Sequence, residues 1–164
     1  MLLGDLLSLA PPFEMGTYPK GGDELPASYI VAAMLIEKLS IGSLPSSNTT
    51  NPVFISHEPD KPDACITIYD TAGIEEIRGM QGDLCIHHGI QIRTRGKSYL
   101  TAWQLLNNID SEFISIANEE VAASEHIYTI NTVTSTSDIV SIGPTGQRIL
   151  NKLAKNFIVS MTNN

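Results

Sequence analysis

The stretch that decides the fold is residues 86–117, IHHGIQIRTRGKSYLTAWQLLNNIDSEFISIA, because its hydrophobic period changes in the middle. Side chains alternate over residues 90–95, which indicates a strand with one buried face. From position 99 onward the large apolar residues recur every three or four positions, which predicts a helix of about five turns. One face of the strand carries Ile90, Ile92 and Thr94, and the other carries Gln91, Arg93 and Arg95.

The helix should fold back onto the apolar face of this strand, because a short connection at Gly96 joins the two elements. Ser98 stands where it can cap the start of the helix. We predict that this pair forms the centre of the core, with Trp103 as its largest member. The predicted helical stripe consists of Tyr99, Ala102, Trp103, Leu106, Ile109, Phe113 and Ile116.

Length and composition fit one globular domain, with 164 residues of which 42% are hydrophobic. A net charge of −8 argues against a dedicated nucleic-acid binder.

Cys65 and Cys85 lie in or beside apolar strand-like runs, so we expect buried free thiols and a reducing compartment. No window is apolar and long enough to span a membrane, and the first residues lack the basic start of a signal peptide.

The charges are unevenly distributed. No acid follows Asp138, whereas several basic residues do, and acids gather over residues 110–125. This split suits like subunits that meet head to tail, although a solvated face is the simpler alternative. The basic residues in question are Arg148, Lys152 and Lys155, and the acidic ones are Asp110, Glu112, Glu119, Glu120 and Glu125.

The first 26 residues differ in character from the rest. A short leucine-rich run is followed by a linker rich in proline and glycine, which predicts a two-turn helix on an irregular tether. We therefore divide the chain into an N-terminal arm, 1–26, and a domain, 27–164. The leucines on one face of the arm helix are Leu2, Leu3, Leu6 and Leu7.

The remaining patterns predict an α+β fold with a largely antiparallel sheet and two main helices packed on it. One helix, 27–41, is apolar nearly all round, so it should be covered on more than one side. Residues 71–83 and 119–125 are interpreted as a loop and an acidic linker. Strands are predicted at 53–57, 65–70, 90–95, 127–133, 139–142 and 155–161, and the last three should be antiparallel because their connections are short.

Two fragments resemble parts of a nucleotide-binding site. Residues 70–73, DTAG, follow an apolar strand like the switch II motif of small GTPases, and residues 96–98, GKS, precede a helix as a phosphate loop would. A phosphate loop needs a glycine five residues before Gly96, where this chain has Gln91. The order is also reversed, since the phosphate loop should come first. These half-matches are weak evidence for a nucleotide hydrolase.

Other catalytic or metal-binding patterns are also missing from the sequence. The neighbours His87 and His88 point to opposite faces of a strand and cannot hold one ion together. Neither HxxxH nor CxxC spacing occurs, and no GxSxG elbow is present. We predict no catalytic residue, no metal ligand and no cofactor.

In the order of its strands and loops, the chain resembles the tail terminator (minor capsid, tail completion) family of long-tailed bacteriophages. Residues 63–73, DACITIYDTAG, resemble the family's apolar strand with Tyr-Asp-Thr-Gly-Gly, with Ala72 replacing the first glycine. Residues 90–96, with Tyr99 and Ala102 behind them, resemble its strand with Arg-x-Arg and helix with Tyr-x-x-Ala. The resemblance covers about 27–162, with closing pieces at Ile142-Gly143 and Asn156-Phe157.

The resemblance implies a mixed sheet packed by helices and a structural role. Family members form a ring, usually of six subunits, that ends tail-tube growth and presents the surface that joins the head. It also implies a tail tube protein and a neck or head completion protein as partners. DNA would pass through the lumen without specific binding, and no membrane would be involved. The expected place is the head-proximal end of the virion tail, after assembly in the host cytoplasm. Another head-to-tail connector is the main alternative.

We predict contacts between subunits, or with the tube, through charged residues, because complementary charge fixes register. The alternative for Arg93 and Arg95 is that they flank the core and pair within their own subunit. The leucines Leu2, Leu3, Leu6 and Leu7 of the arm should dock on a neighbouring subunit or on a tail or neck protein. The candidate contact residues are Arg93, Arg95, Arg148, Lys152 and Lys155.

Overall fold

The computed structural model describes residues 25–46, 49–78, 84–143 and 150–163, and at 75–78, 84–86 and 163 it describes the backbone alone. The predicted arm therefore lies almost wholly outside the described residues. The helices are α1 (Ala27–Ala33), continued by a π-helical turn (Met34–Lys38), and α2 (Tyr99–Ile114). The strands are β1 (Val53–Ile55), β2 (Cys65–Arg78), β3 (Leu84–Gly96), β4 (Glu119–Ala123), β5 (His126–Ser135), β6 (Val140–Ser141) and β7 (Asn151–Asn163).

The strands described form one seven-stranded sheet with the order β1-β2-β3-β7-β5-β4, and the short β6 also pairs with β7. Only β1 and β2 are parallel, and the other pairs are antiparallel. The predicted α+β class, with a mixed, largely antiparallel sheet and two main helices, is confirmed. β5 and β6 each pair antiparallel with β7, so the prediction for the last three strands is confirmed for these two pairs. β5 and β6 themselves run in the same direction, because both are antiparallel to β7, and the short connection between them does not make them an antiparallel pair.

Both helices pack on one face of the sheet, which we call the helix-covered face. Ile90 and Ile92 of β3 are fully buried there, in the same core cluster as Phe113 of α2. The Phe113 ring meets the Phe157 ring of β7 edge to face, with centroids 5.1 Å apart. The buried residues of α2 are Ala102, Leu106, Ile109 and Phe113, so the predicted packing of the helix on β3 is confirmed for this part of the stripe.

The prediction that Trp103 is the largest core member is wrong. Its side chain is 36% exposed, and Tyr99 at the start of the same helix is half exposed. A helix turns by about 100° per residue, which places Trp103 roughly 90° from the centre of the buried stripe. The largest fully buried side chains are instead Tyr128, Phe113 and Phe157.

The two segments interpreted as irregular are partly strand. β2 continues through residues 71–78, where two register shifts break its alternation. The acidic segment contains β4, in which only Val121 and Ala123 are buried. These small buried residues between exposed glutamates gave too weak an alternation to predict a strand.

Helix α1 is buried along its whole length, which fits its apolar sequence. It contacts β1, β2, β3 and β4, so it is covered from several sides, as predicted. The chain enters it through Leu25, whose backbone N–H donates to the hydroxyl of Tyr128, 3.0 Å away. Ser98 occupies the cap position of α2, but its side chain makes no capping hydrogen bond.

Candidate assembly surface

The second face of the sheet has no helix on it among the described residues, and we call it the helix-free face. Strand alternation directs every second side chain to it. These side chains are largely polar, in contrast to the isoleucines one position away on the helix-covered face. At its centre lie Cys65, Thr67 and Tyr69 of β2, Gln91, Arg93 and Arg95 of β3, and Lys152, Ala154 and Asn156 of β7.

Arg93 lies in an ordered polar network on the helix-free face. Its guanidinium carbon lies 4.4 Å from the centroid of the Tyr69 ring, a cation–π geometry. Its Nε donates to Oε1 of Gln91 at 2.6 Å, and Nε2 of Gln91 donates to Oδ1 of Asn156 at 2.9 Å. Burial raises the pKa of the Tyr69 phenol, while the Arg93 guanidinium opposes that rise. The network fixes Arg93 in one orientation while leaving it partly exposed.

Arg95 lies on the same face but is only 5% exposed. Oε1 of Glu58 lies 2.9 Å from Nη1 of Arg95 and 2.9 Å from Nζ of Lys152. Nη2 of Arg95 donates to the carbonyl of Pro62. Its Nε has no hydrogen-bond partner among the described residues. The cluster of Arg95, Glu58 and Lys152 binds the 57–63 loop to the sheet within one subunit.

Lys155 extends from β7 toward α2 on the helix-covered face. Its Nζ is 2.7 Å from Oδ2 of Asp110, and both side chains are mostly buried. Glu119 of β4 pairs with Lys38 at 3.3 Å. Of the predicted contact residues, Arg95, Lys152 and Lys155 thus have ionic partners inside the subunit, and their role between subunits stays a prediction. Arg148, Leu2, Leu3, Leu6 and Leu7 lie outside the described residues.

The first nucleotide-like fragment has a structural role. The Ser28 backbone N–H and hydroxyl donate to the two carboxylate oxygens of Asp70, at 2.9 and 2.6 Å. The carboxylate thereby takes the place of a capping group in the first turn of α1. Gly73 lies in a β-bulge, where a Cβ would overlap the carbonyl oxygen of His87. The DTAG segment is therefore a bulged strand that holds a helix start.

The second fragment lies beside an open groove of about 460 Å³ between the start of α2 and the loop before β2. Lys97 is largely exposed there, and its Nζ is 3.7 Å from a carboxylate oxygen of Asp63. An acid at the groove wall opposes phosphate binding.

Among the residues described, no cluster of His, Cys, Asp or Glu could hold a metal ion. No described helix is long and apolar enough to cross a membrane.

Cys65 is a buried free thiol, as predicted. Burial raises the pKa of the thiol, although nearby Arg95 opposes that rise. The neutral thiol is the weakly reactive form, which fits a packing role.

The outer side of α2 carries an apolar surface that sequence reasoning missed. Tyr99 and Trp103 were predicted to lie in the core, yet both contribute to this exposed surface. Ile114, at the other end of the helix, is 79% exposed. Tyr99, Leu100 and Trp103 lie within two turns at the start of the helix, and such clustered apolar side chains indicate a contact surface. We call this set the α2 stripe: Tyr99, Leu100, Trp103 and Ile114.

Comparison with protein families identifies the chain. The model of the bacteriophage tail terminator protein family matches residues 35–158, well over half of the sequence. The chain belongs to this tail terminator family. The match starts in the π-helical turn and ends within β7, so it includes α2, the helix-free face and the β2 bulge.

A protein of this family is a structural protein of phage tails. Among solved structures, the chain is similar to one titled virion of a native gene transfer agent particle, with 9% identity and a TM-score of 0.43. That match covers 68% of this chain and 78% of the other. A second solved structure matches with 13% identity and a TM-score of 0.40, over 68% and 79% of the two chains. No curated protein matches the sequence.

Proposed function

We propose that this protein ends the phage tail tube as a closed ring, stops tube polymerisation and provides the surface that joins the tail to the head. The observation that carries the proposal is the family match over residues 35–158. The ring has six subunits, as the family resemblance implies. The protein has no catalytic activity and needs no cofactor in this role.

The described surface supports such a role, because a ring subunit that also meets a tube protein and a neck protein needs several unlike contact surfaces. Head-to-tail contacts between unlike surfaces close into a ring when the rotation between subunits is right. The α2 stripe supplies exposed apolar and aromatic side chains, which are enriched in interface cores. The helix-free face supplies a fixed polar network around Arg93. These two surfaces lie on opposite faces of the sheet.

Arg93 is the charged residue that we propose as a contact with a neighbouring subunit or with the tube. It is partly exposed, and its orientation is set by Tyr69 and Gln91. Arg95 is a poor position for a test, because Arg95→Glu would place a carboxylate beside Glu58 inside the subunit. Lys155→Glu is a poor test for the same reason, because it would break the ion pair between Lys155 and Asp110.

The proposed partners are the tail tube protein on one side of the ring and a neck or head completion protein on the other. DNA passes through the lumen without specific binding, which fits the acidic net charge of −8. No membrane takes part. The ring lies at the head-proximal end of the virion tail and assembles in the host cytoplasm.

The experiment is to assemble phage with Arg93→Glu and to measure tail length and head attachment by electron microscopy. Overlong tails, or tails without heads, are expected. Lys61→Glu is the matched control, because it makes the same charge change at an exposed side chain. Normal tails with Arg93→Glu would remove Arg93 from the contact. Absence of the protein from purified virions would overturn the proposed function.

The arm gives a second test of assembly. We propose that Leu2, Leu3, Leu6 and Leu7 dock on a neighbouring subunit or on a tail or neck protein. Because the Leu25 N–H bonds to Tyr128, the chain to be tested starts at residue 25, not after residue 26. It should melt like the full chain but form fewer rings by native mass spectrometry. An unfolded product would instead make the arm part of the core.

A further inference from the structure

Each border of the sheet leaves part of a long strand without a described neighbour. On one side, β1 pairs only with residues 66–68 of β2, which continues to Arg78. On the other side, β4 pairs with residues 126–130 of β5, which continues to Ser135. Among the described residues, no further strand covers 69–78 of β2 or 132–135 of β5. We call these two stretches the open edges.

The two open edges lie at the same level of the sheet. Asp70 of β2 pairs with Ile90 of β3, Ile90 with Phe157 of β7, and Phe157 with Ser135 of β5. One row across four strands therefore ends in Asp70 at one border and in Ser135 at the other. The next row joins Thr71 to Thr134 in the same way, through Gly89 and Ile158.

The backbone groups of this row point outward at both ends. Ser56 N–H donates to the Ile68 carbonyl, so the even positions of β2 face its outer edge, and Asp70 is the next one. Thr136 N–H donates to the Asn156 carbonyl, so the even positions of β5 face β7. Ser135 therefore directs its N–H and C=O away from the sheet. Unpaired outward groups on an edge are a template for another strand.

The strand directions also fit. β2, β3, β7 and β5 are successive antiparallel neighbours, so β5 runs opposite to β2. When β5 of one subunit lies beside β2 of the next, the two strands are antiparallel without inversion of either subunit. The contact joins unlike surfaces, as a closed ring requires.

We propose that a second copy of this chain pairs its β5 open edge with the β2 open edge, so that the sheet continues from subunit to subunit around the ring. In the simplest register Asp70 faces Ser135 as a hydrogen-bonded pair, and Thr71 faces Thr134 as a non-hydrogen-bonded pair. Register shifts lie between Thr71 and Ile74 and just before Thr132. These bulges restrict the pairing to a short run and add the twist that curves a sheet.

This inference rests on the proposed ring, and disulfide cross-linking tests it separately. A non-hydrogen-bonded antiparallel pair has Cα atoms about 4.5 Å apart, which is within the range of a disulfide. A mixture of Thr71→Cys and Thr134→Cys chains should give a dimer under mild oxidation, and neither chain should do so alone. Mass spectrometry should find the peptides with positions 71 and 134 joined. The control is a mixture of Thr71→Cys and Thr101→Cys chains. It should give no dimer, because Thr101 is an exposed residue of α2 and does not lie on an open edge.

A shift of two residues in register would pair Thr71 with Thr132 or Thr136, so both positions are tested with Thr71→Cys. In one outcome, native mass spectrometry shows the ring while Thr71→Cys cross-links with none of Thr132→Cys, Thr134→Cys and Thr136→Cys. That result overturns the edge pairing and leaves the proposed ring standing. If the chain forms no ring alone or on tails, the proposed function fails.

A backbone variant gives the second measurement. Ser135→Pro removes the N–H of residue 135, which faces outward from the β5 open edge. It leaves every N–H of β5 that faces β7 in place. Loss of one such hydrogen bond should raise the concentration for half-assembly about tenfold, with the subunit still folded by circular dichroism. Ser135→Ala keeps the N–H and should assemble normally. Equal assembly of both variants would overturn the strand pairing.

Discussion

The two faces of the sheet are built from the same strands and differ in almost everything else. Ile90 and Ile92 of β3 enter the apolar core, whereas Gln91 and Arg93 between them form a polar network. Burial on the helix-covered face comes from apolar packing under two helices. On the helix-free face Arg95 is buried in an ion pair with Glu58, and Cys65 and Thr67 beside it are buried as well. The first face stabilises the subunit by apolar packing, and the second carries the partly exposed Arg93 that we propose as a contact.

The largest effect is expected on the helix-covered face. Phe113→Ala should lower the free energy of unfolding by about 3–5 kcal/mol, because it leaves a cavity against Phe157. Ile114→Ala, one position along the same helix, should change it by less than about 0.5 kcal/mol, because that side chain is largely exposed. Chemical denaturation measures both. Similar values for the two variants would show that α2 does not pack as described.

The second effect tests whether the helix-free face depends on charge. Glu58→Gln should destabilise by roughly 3 kcal/mol, because it leaves Arg95 and Lys152 without their shared anion in a poorly solvated site. Glu120→Gln removes an exposed carboxylate and should be nearly neutral. The measurement is the denaturation midpoint of each variant. A neutral Glu58→Gln would mean that water, not the ion pairs, stabilises this face.

A smaller effect is expected where β2 meets the start of α1. Asp70→Ala should cost about 1 kcal/mol, because Ser28 loses the acceptor that caps the helix. Asp60→Ala, at an exposed loop position, is the control. Calorimetric titration of GTP with Mg²⁺ should detect no binding to the unaltered chain. Micromolar affinity that disappears in Asp70→Ala would restore the nucleotide interpretation.

The smallest effect on stability is expected at the α2 stripe, where the effect on assembly should be large. Leu100→Ser combined with Ile114→Ser should change the free energy of unfolding by less than about 1 kcal/mol, because both side chains are mostly exposed. Native mass spectrometry should nevertheless show fewer rings. A normal ring population would mean that the stripe meets another partner or none.

The sequence predicted the strand–helix pair at the centre of the fold, because alternation and helical period are both strong over residues 90–116. It failed where the period was interrupted. The bulges in β2 shift its alternation, and the small side chains of Val121 and Ala123 in β4 gave little contrast with the glutamates. Of the predicted contact residues, Arg93 and Lys152 are both partly exposed on the helix-free face, and Lys152 is paired with Glu58 inside the subunit.

By itself, the sequence determined which side chains share a face, because strand and helix periods are local properties of the backbone. It also determined the family, through the order of short segments. Only the tertiary structure decided which apolar residues are covered, because coverage depends on where the neighbouring elements lie. Trp103 is therefore exposed, although its spacing fits the stripe, and Arg95 is buried because the distant Glu58 reaches it. The alignment of Asp70 with Ser135 depends on pairings between segments far apart in the chain, which no local pattern contains.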